Sequence, residues 1–294
     1  MFALIGIVVV FGAVVGGYLM EKGNLLVLMQ PAELLIIAGA ASGTVLIANP
    51  PRVLTAILKG IVGALTGSRY TKPWHLDSLK LLYEFFDQAR RAGLASLEPE
   101  VEDYKKSKTF ARHPAILKDS HVCCFIADTF RTTMIGGMEP WDVDNMLETD
   151  IDAHHHEGTE QVSALTTVAD SLPGLGIVAA VLGVVITMGS LGGKPEEIGH
   201  KVAAALVGTF LGILLCYGLI GPLAASMGKI LEAEKAYYQM LRITMSAFTR
   251  GVPPLLAVEA GRRSLPTHVR PTFNEVEKTC RNRTAEAPAE PEAA

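Results

Sequence analysis

Four long apolar stretches, Phe2–Met20, Leu34–Ala48, Gly174–Leu191 and Ala203–Met227, dominate this chain, and none has an Asp, Glu, Lys, Arg or His within those bounds. A bilayer core of about 30 Å needs ~20 apolar residues in a helix, so three stretches span it outright and the second spans with its flanking residues. Proteins that move protons usually place a carboxylate or histidine inside the membrane. Here the polar groups on offer are small hydroxyls and a thiol: Ser42, Thr44, Thr187, Ser190, Thr209 and Cys216. An ion crossing these spans therefore calls for a carboxylate from a second polypeptide.

The chain is 49% hydrophobic with a formal charge of −4, a balance that suits a half-membrane, half-cytosolic protein and excludes a nucleic-acid binder. Its four cysteines, Cys123, Cys124, Cys216 and Cys280, lack C-x-x-C spacing and read as free thiols in a reducing compartment. The first stretch has no basic leader and no small-residue cleavage site, so it is expected to stay as a span. Residues 49–76 carry Arg52, Lys59, Arg69 and Lys72 without an acid, which places that segment in the cytoplasm. The expected layout is membrane helices 1 and 2 with a short periplasmic loop (1–48), a cytoplasmic helical domain (49–168), membrane helices 3 and 4 with a second short loop (169–227), a cytoplasmic helical region (228–283) and a disordered tail (284–294). Both termini then lie in the cytoplasm.

The cytoplasmic segments have helical periodicity. From Asp77 to Ala92 the apolar residues Leu79, Leu82, Phe85, Phe86 and Ala89 share one face, with Lys80, Glu84, Asp87 and Arg91 opposite. Pro99 in an acidic first turn starts another helix. Further helices are predicted over 115–136, over 142–168 running on into the third span, and over 229–248 up to Gly251 and Pro253-Pro254. The fold class is an all-α polytopic membrane protein with four transmembrane helices and a large helical cytoplasmic domain.

Spans three and four carry the most specific pattern. Gly176, Ala180 and Gly183 on one, and Ala204, Gly208 and Gly212 on the other, are spaced to let backbones approach closely. Pro173 removes a backbone donor at the inner mouth of span three and is a candidate hinge. Thr209 is a hydroxyl in mid-span. Each feature has a plainer reading: a membrane threonine commonly bonds its own i−4 carbonyl, and glycine and proline are frequent in such helices.

The strings GGYLM (16–20), QPAELLIIAGAA (30–41), ADSLPGLGIVAAVLGVV (169–185), VGTFLGILLCYGLIGPL (207–223), GVPPLLAVEAGRRSL and RPTFNEVE resemble the A subunits of bacterial flagellar stators, the MotA family, over about residues 2–282. ExbB and TolQ, which energise other envelope processes, belong to the same superfamily but have three spans and lack the first-helix and C-terminal motifs; an ExbB/TolQ-like energiser is the nearer alternative. The resemblance implies a pentamer of A subunits around two MotB-type chains in the bacterial inner membrane. Each MotB-type chain would bring one membrane helix with an ion-binding aspartate, and the ring would push on the rotor protein FliG. It further implies that Pro173 and Pro222 couple ion flow to conformation, that Thr209 faces the aspartate, and that Arg90, Glu98 and, less closely matched, Asp150 meet the rotor.

Ion choice is argued from the same stripe. Sodium needs several oxygen ligands, whereas a proton needs the carboxylate and a water. Ala180 offers no oxygen, and sodium-driven relatives have threonine at the matching position, so the expected ion is H+ rather than Na+ and no cofactor is expected. Spacing alone argues the other way for rotor contact: Arg90 follows Phe86 by one turn, Arg91 lies more clearly on the polar face, and Glu98 suits a helix start. His154, His155 and His156 suggest a metal, making a membrane metalloenzyme the alternative from another class. Consecutive helical residues point about 100° apart and cannot converge on one ion, and no phosphate-binding glycine loop is present, so no enzyme activity is expected.

Overall fold

The computed structural model describes residues 2–189, 192 and 195–281, and among these every regular element is helical. In order they are α1 (Phe2–Met20), α2 (Leu25–Leu28), α3 (Pro31–Ala48), α4 (Pro51–Thr66), α5 (Lys72–Ala92), a 3₁₀ turn (Leu94–Leu97), α6 (Glu98–Glu102), α7 (Lys108–Ala111), α8 (Pro114–Leu117), α9 (Ser120–Ile135), α10 (Pro140–Met188), α11 (Pro195–Leu215), a π-turn (Cys216–Ile220), α12 (Gly221–Thr249), α13 (Pro254–Ser264) and α14 (Phe273–Arg281). The expected disordered tail, 284–294, lies outside the described residues, as do Ser190 and Leu191.

Four segments are long and apolar enough to cross a membrane: Phe2–Met20, Leu25–Ala48, and stretches within the helices Pro140–Met188 and Ile198–Thr249. The second corrects the sequence reading. Hydropathy put its start at Leu34, but Pro31 opens α3 and draws Glu33 into the first turn. Proline there needs no donor and its fixed φ suits a helix start. The spans thus do carry one acid of their own.

The chain divides into two units, Met1–Ser68 with His156–Leu231, and Arg69–His155 with Glu232–Ala294. The sequence drew its boundaries at 48, 168 and 227. The shift of the first boundary comes from α4, an amphipathic helix that was not foreseen. Its Val53, Ile57 and Ala64 pack with Ala164, Leu165, Leu223, Ala224 and Met227, so they belong with the membrane helices. Large apolar side chains such as Val8, Ile47, Val185 and Leu206 stay exposed in this unit, as lipid-facing positions require.

The second unit is built on an aromatic and leucine core: Leu79, Leu82, Phe85 and Phe86 of α5 with Phe110, Ile126, Phe130, Tyr237 and Met240. Phe86 stacks on Phe248 at 4.2 Å between ring centroids, an arrangement worth ~1 kcal/mol beyond area burial. Two local expectations change here. Glu84, placed on the polar face by spacing, is buried at 3% exposure and bonds Arg112 at 2.8 Å. The helix predicted over 115–136 is split, because the Asp119 carboxylate accepts the His121 and Val122 N–H groups and caps a fresh helix.

Candidate functional site: a glycine-lined seam between membrane helices

Helices α10 and α11 meet through backbone. A Cβ placed on Gly176 would lie 2.8 Å from the Gly208 carbonyl oxygen and 3.3 Å from Thr209 Cα. One on Gly212 would lie 2.5 Å from the Leu172 carbonyl, and one on Gly183 would lie 2.7 Å from the Ala205 Cβ. No larger residue fits these positions without moving a helix. In lipid, where apolar side chains gain nothing by leaving the solvent, such close approach supplies the packing that holds the pair.

Three of the sequence-derived positions meet at this seam. The Ala180 backbone nitrogen is 3.3 Å from a Cβ built on Gly208. Thr209 follows Gly208, and Pro173 follows the Leu172 carbonyl that faces Gly212. Pro173 sits inside continuous helix, so the carbonyl one turn earlier, on Ala169, loses its usual donor.

The behaviour of the hydroxyls separates Thr209 from its neighbours. Ser42 bonds the Ala38 carbonyl at 2.7 Å, Thr44 that of Ala41 at 2.8 Å, Ser171 that of Val168 at 2.7 Å and Thr187 that of Gly183 at 2.8 Å. Among the described residues half-buried Thr209 has no hydrogen bond of this kind.

Pro222 is exposed and stands away from these contacts, just beyond the π-turn Cys216–Ile220. There the Gly221 N–H donates to the Cys216 carbonyl, five residues back. One extra residue in the turn loosens the helix where proline would otherwise meet a preceding carbonyl. Sequence inspection found the proline but not the π-turn; the GLIGP string, with two glycines before proline, was the available signal.

Glu33 was missed as a site residue. Its Oε2 is 2.7 Å from a Cβ built on Gly208, and its Oε1 is 3.4 Å from one on Gly183. The carboxyl therefore lies against the same seam.

In the second unit Arg90, Glu98 and Asp150 are all exposed. Arg90 makes no ion pair among the described residues, whereas Arg91 is held by Asp87 at 3.0 Å. Arg90 and Glu98 flank one corner, formed by Gly93 at φ 85° and the turn Leu94–Leu97. Glu98 lines a depression with Ala95, Val101, Arg131, Met134 and Ile135, while Asp150 lines a different groove beside Cys124, Asp128 and Met146. His154 and His155 address different carboxylates, Glu234 at 3.6 Å and Glu232 at 3.5 Å, and the His154 ring also packs at a tilt against His121.

This fold and seam define a class of membrane protein, and the comparisons with known proteins agree on it. Residues 4–93 match the model for the motility protein A N-terminal region, and residues 118–240 match that of the MotA/TolQ/ExbB proton channel family. Motility protein A of Escherichia coli (strain K12) is 40% identical over 281 residues, 96% of this chain and 95% of its own length. Chemotaxis protein LafT of Vibrio parahaemolyticus is 35% identical over 93% of this chain and 96% of its own. The C. jejuni MotAB structure superposes with a TM-score of 0.74 at 18% identity, covering 90% of this chain and 95% of that one. The Bacillus subtilis flagellar MotAB stator complex gives 0.72 at 21% identity, covering 94% and 98%. The chain belongs to the motility protein A family. These relatives are motility and proton-channel proteins rather than enzymes, and the N-terminal match sets the chain apart from an ExbB/TolQ-like energiser.

Proposed function

We propose that this chain is the A-type stator subunit of a bacterial flagellar motor. A MotB-type partner with a single membrane helix sets its aspartate against the α10–α11 seam, and ion flow past it is converted into torque on the rotor. The observation that carries this reading is Thr209, a hydroxyl beside the close approach of Gly176 to Gly208 and left without the back-bond that Ser42, Thr44, Ser171 and Thr187 make. A free hydroxyl there is placed to serve a group that this chain does not itself supply.

The named MotAB complexes among the structural relatives support the partner. Ala180, lacking an oxygen, and the proton-channel description of the family support H+ over Na+. In this reading five copies surround two partner chains in the inner membrane with both termini in the cytoplasm, Pro173 and Pro222 relay the motion, and Arg90, Glu98 and Asp150 orient FliG. No cofactor takes part and no bond is made or broken in a substrate. One proton falling through 100 mV releases about 2.3 kcal/mol, enough to bias two conformers a few kcal/mol apart.

The test is reconstitution of the chain with a MotB-type partner in vesicles. Proton uptake should require both chains and follow the proton gradient. Uptake of sodium that persists with the proton gradient collapsed would overturn the ion choice, and full conduction by the A ring alone would overturn the role of the partner's aspartate.

A further inference from the structure

An acid in the first turn of a helix usually serves the free N–H groups there, reaching back to the N-cap or facing solvent at the positive end of the dipole. Glu33 does neither. Gln30, the N-cap of α3, has no side-chain cap bond. Glu33 is only 7% exposed, and its Oε2 is buried with no hydrogen-bond partner among the described residues. The carboxyl points across to α10 and α11, into a cradle made by the missing side chains of Gly183 and Gly208 and the small Ala205.

The surroundings hold little else that could satisfy it. Glu33 is the only charged residue of α3, and α10 has none between Asp170 and Met188. On α11 the nearest basic groups are His200 and Lys201, one turn or more from Ala205 and Gly208. No described ion pair reaches Glu33. An ionisable group in a membrane segment, unpaired and aimed at a helix seam, is expensive to keep unless it exchanges a cation. The cradle also leads onward, since Gly208 adjoins Thr209 along α11.

We propose that Glu33 is a second carboxyl station on the cation path, ahead of the partner's aspartate. A proton from the external side adds to the Glu33 carboxylate and gives the neutral acid. It then leaves along the α10–α11 seam, through water, to the partner's carboxylate, and Glu33 returns to its ionised form. This rests on the stator reading above.

The experiment uses the chain co-purified with its single-span partner in vesicles, with proton uptake followed at external pH values from 5 to 8. Glu33→Gln should lower uptake at least tenfold and flatten its dependence on external pH, while Glu33→Asp keeps part of both and neither variant changes co-purification. Wild-type uptake and an unchanged pH profile in Glu33→Gln would overturn the proposal. If Glu33→Gln fails to assemble, the wild-type complex decides through dicyclohexylcarbodiimide, whose C=N bond adds a buried protonated carboxyl. Mass-spectrometric labelling at Glu33 that falls as external pH rises supports the station, and absence of label throughout overturns it. A wild-type complex that passes no protons overturns the stator reading and this step together, whereas failure of the Glu33 step alone leaves wild-type uptake intact.

Discussion

The unit of membrane helices and the second unit use opposite means to the same end. Between α10 and α11 cohesion comes from side chains that are absent, with glycines bringing backbone onto backbone. In the second unit it comes from large side chains and matched charges: a phenylalanine–tyrosine core, Arg112 on Glu84, and Arg242 on Asp144 at 2.8 Å. Water supplies a hydrophobic drive to the second and lipid supplies none to the first. In the seam, therefore, a polar group without a partner is a signal of function, while in the second unit the signal is an exposed charge without one.

The sharpest way to break this comparison is to fill the seam. Gly212→Leu would drive a side chain into the Leu172 carbonyl, and overpacking of this kind costs ~3 kcal/mol or more. The expected outcome is loss of partner co-purification and of motility, whereas Gly174→Ala, where nothing lies within 4 Å, should be tolerated.

Next in size is the loss of a buried charge in the second unit. Asp144 accepts two bonds from Arg242 and one from Ser246 at 2.6 Å. Asp144→Asn should cost about 3 kcal/mol, seen by denaturant titration of the full chain in detergent. Its pH dependence has a definite sign. The Arg242 hydrogen bonds, against opposing burial, hold the Asp144 carboxyl below its ordinary 3.8. The stabilisation is complete above that value and fades as pH falls through the lower folded one, so the gap between wild type and variant should close in strong acid.

Tyr237→Phe removes one buried hydroxyl contact, 2.8 Å to Ser78, and should cost ~1 kcal/mol in the same titration. Smallest in stability, yet large in motility, are Arg90→Glu and Glu98→Lys. Both residues are exposed, so unfolding should shift by less than about 0.5 kcal/mol. Swimming speed should nevertheless fall in each single variant. Normal motility in the double variant would sever these charges from rotor contact.

Periodicity and composition made much of the fold legible in the sequence. The four spans, the helical nature of the remainder and the run of α10 through Pro173 could be read because apolar length and helical spacing report directly on burial. Local chemistry was harder. Glu33 was excluded by a boundary drawn on hydropathy rather than on Pro31, and α4 was read as basic residues although its apolar stripe was present. Glu84 escaped because helical spacing does not show that Arg112 and His113, far along the chain, close over it. Asp119 could have been recognised as a cap from the D-S-H-V string alone.

The widened turn at Cys216–Ile220 sets the phase of α12. Each residue advances a regular helix by about 100°, so a single extra one swings the stripe that begins at Gly221 around to a new heading. Which faces of α12 look inward at Leu223 and Met227 is thus decided by amino-acid count rather than by side-chain type. Excising one residue from this stretch would leave composition almost untouched and aim the rest of the helix the wrong way.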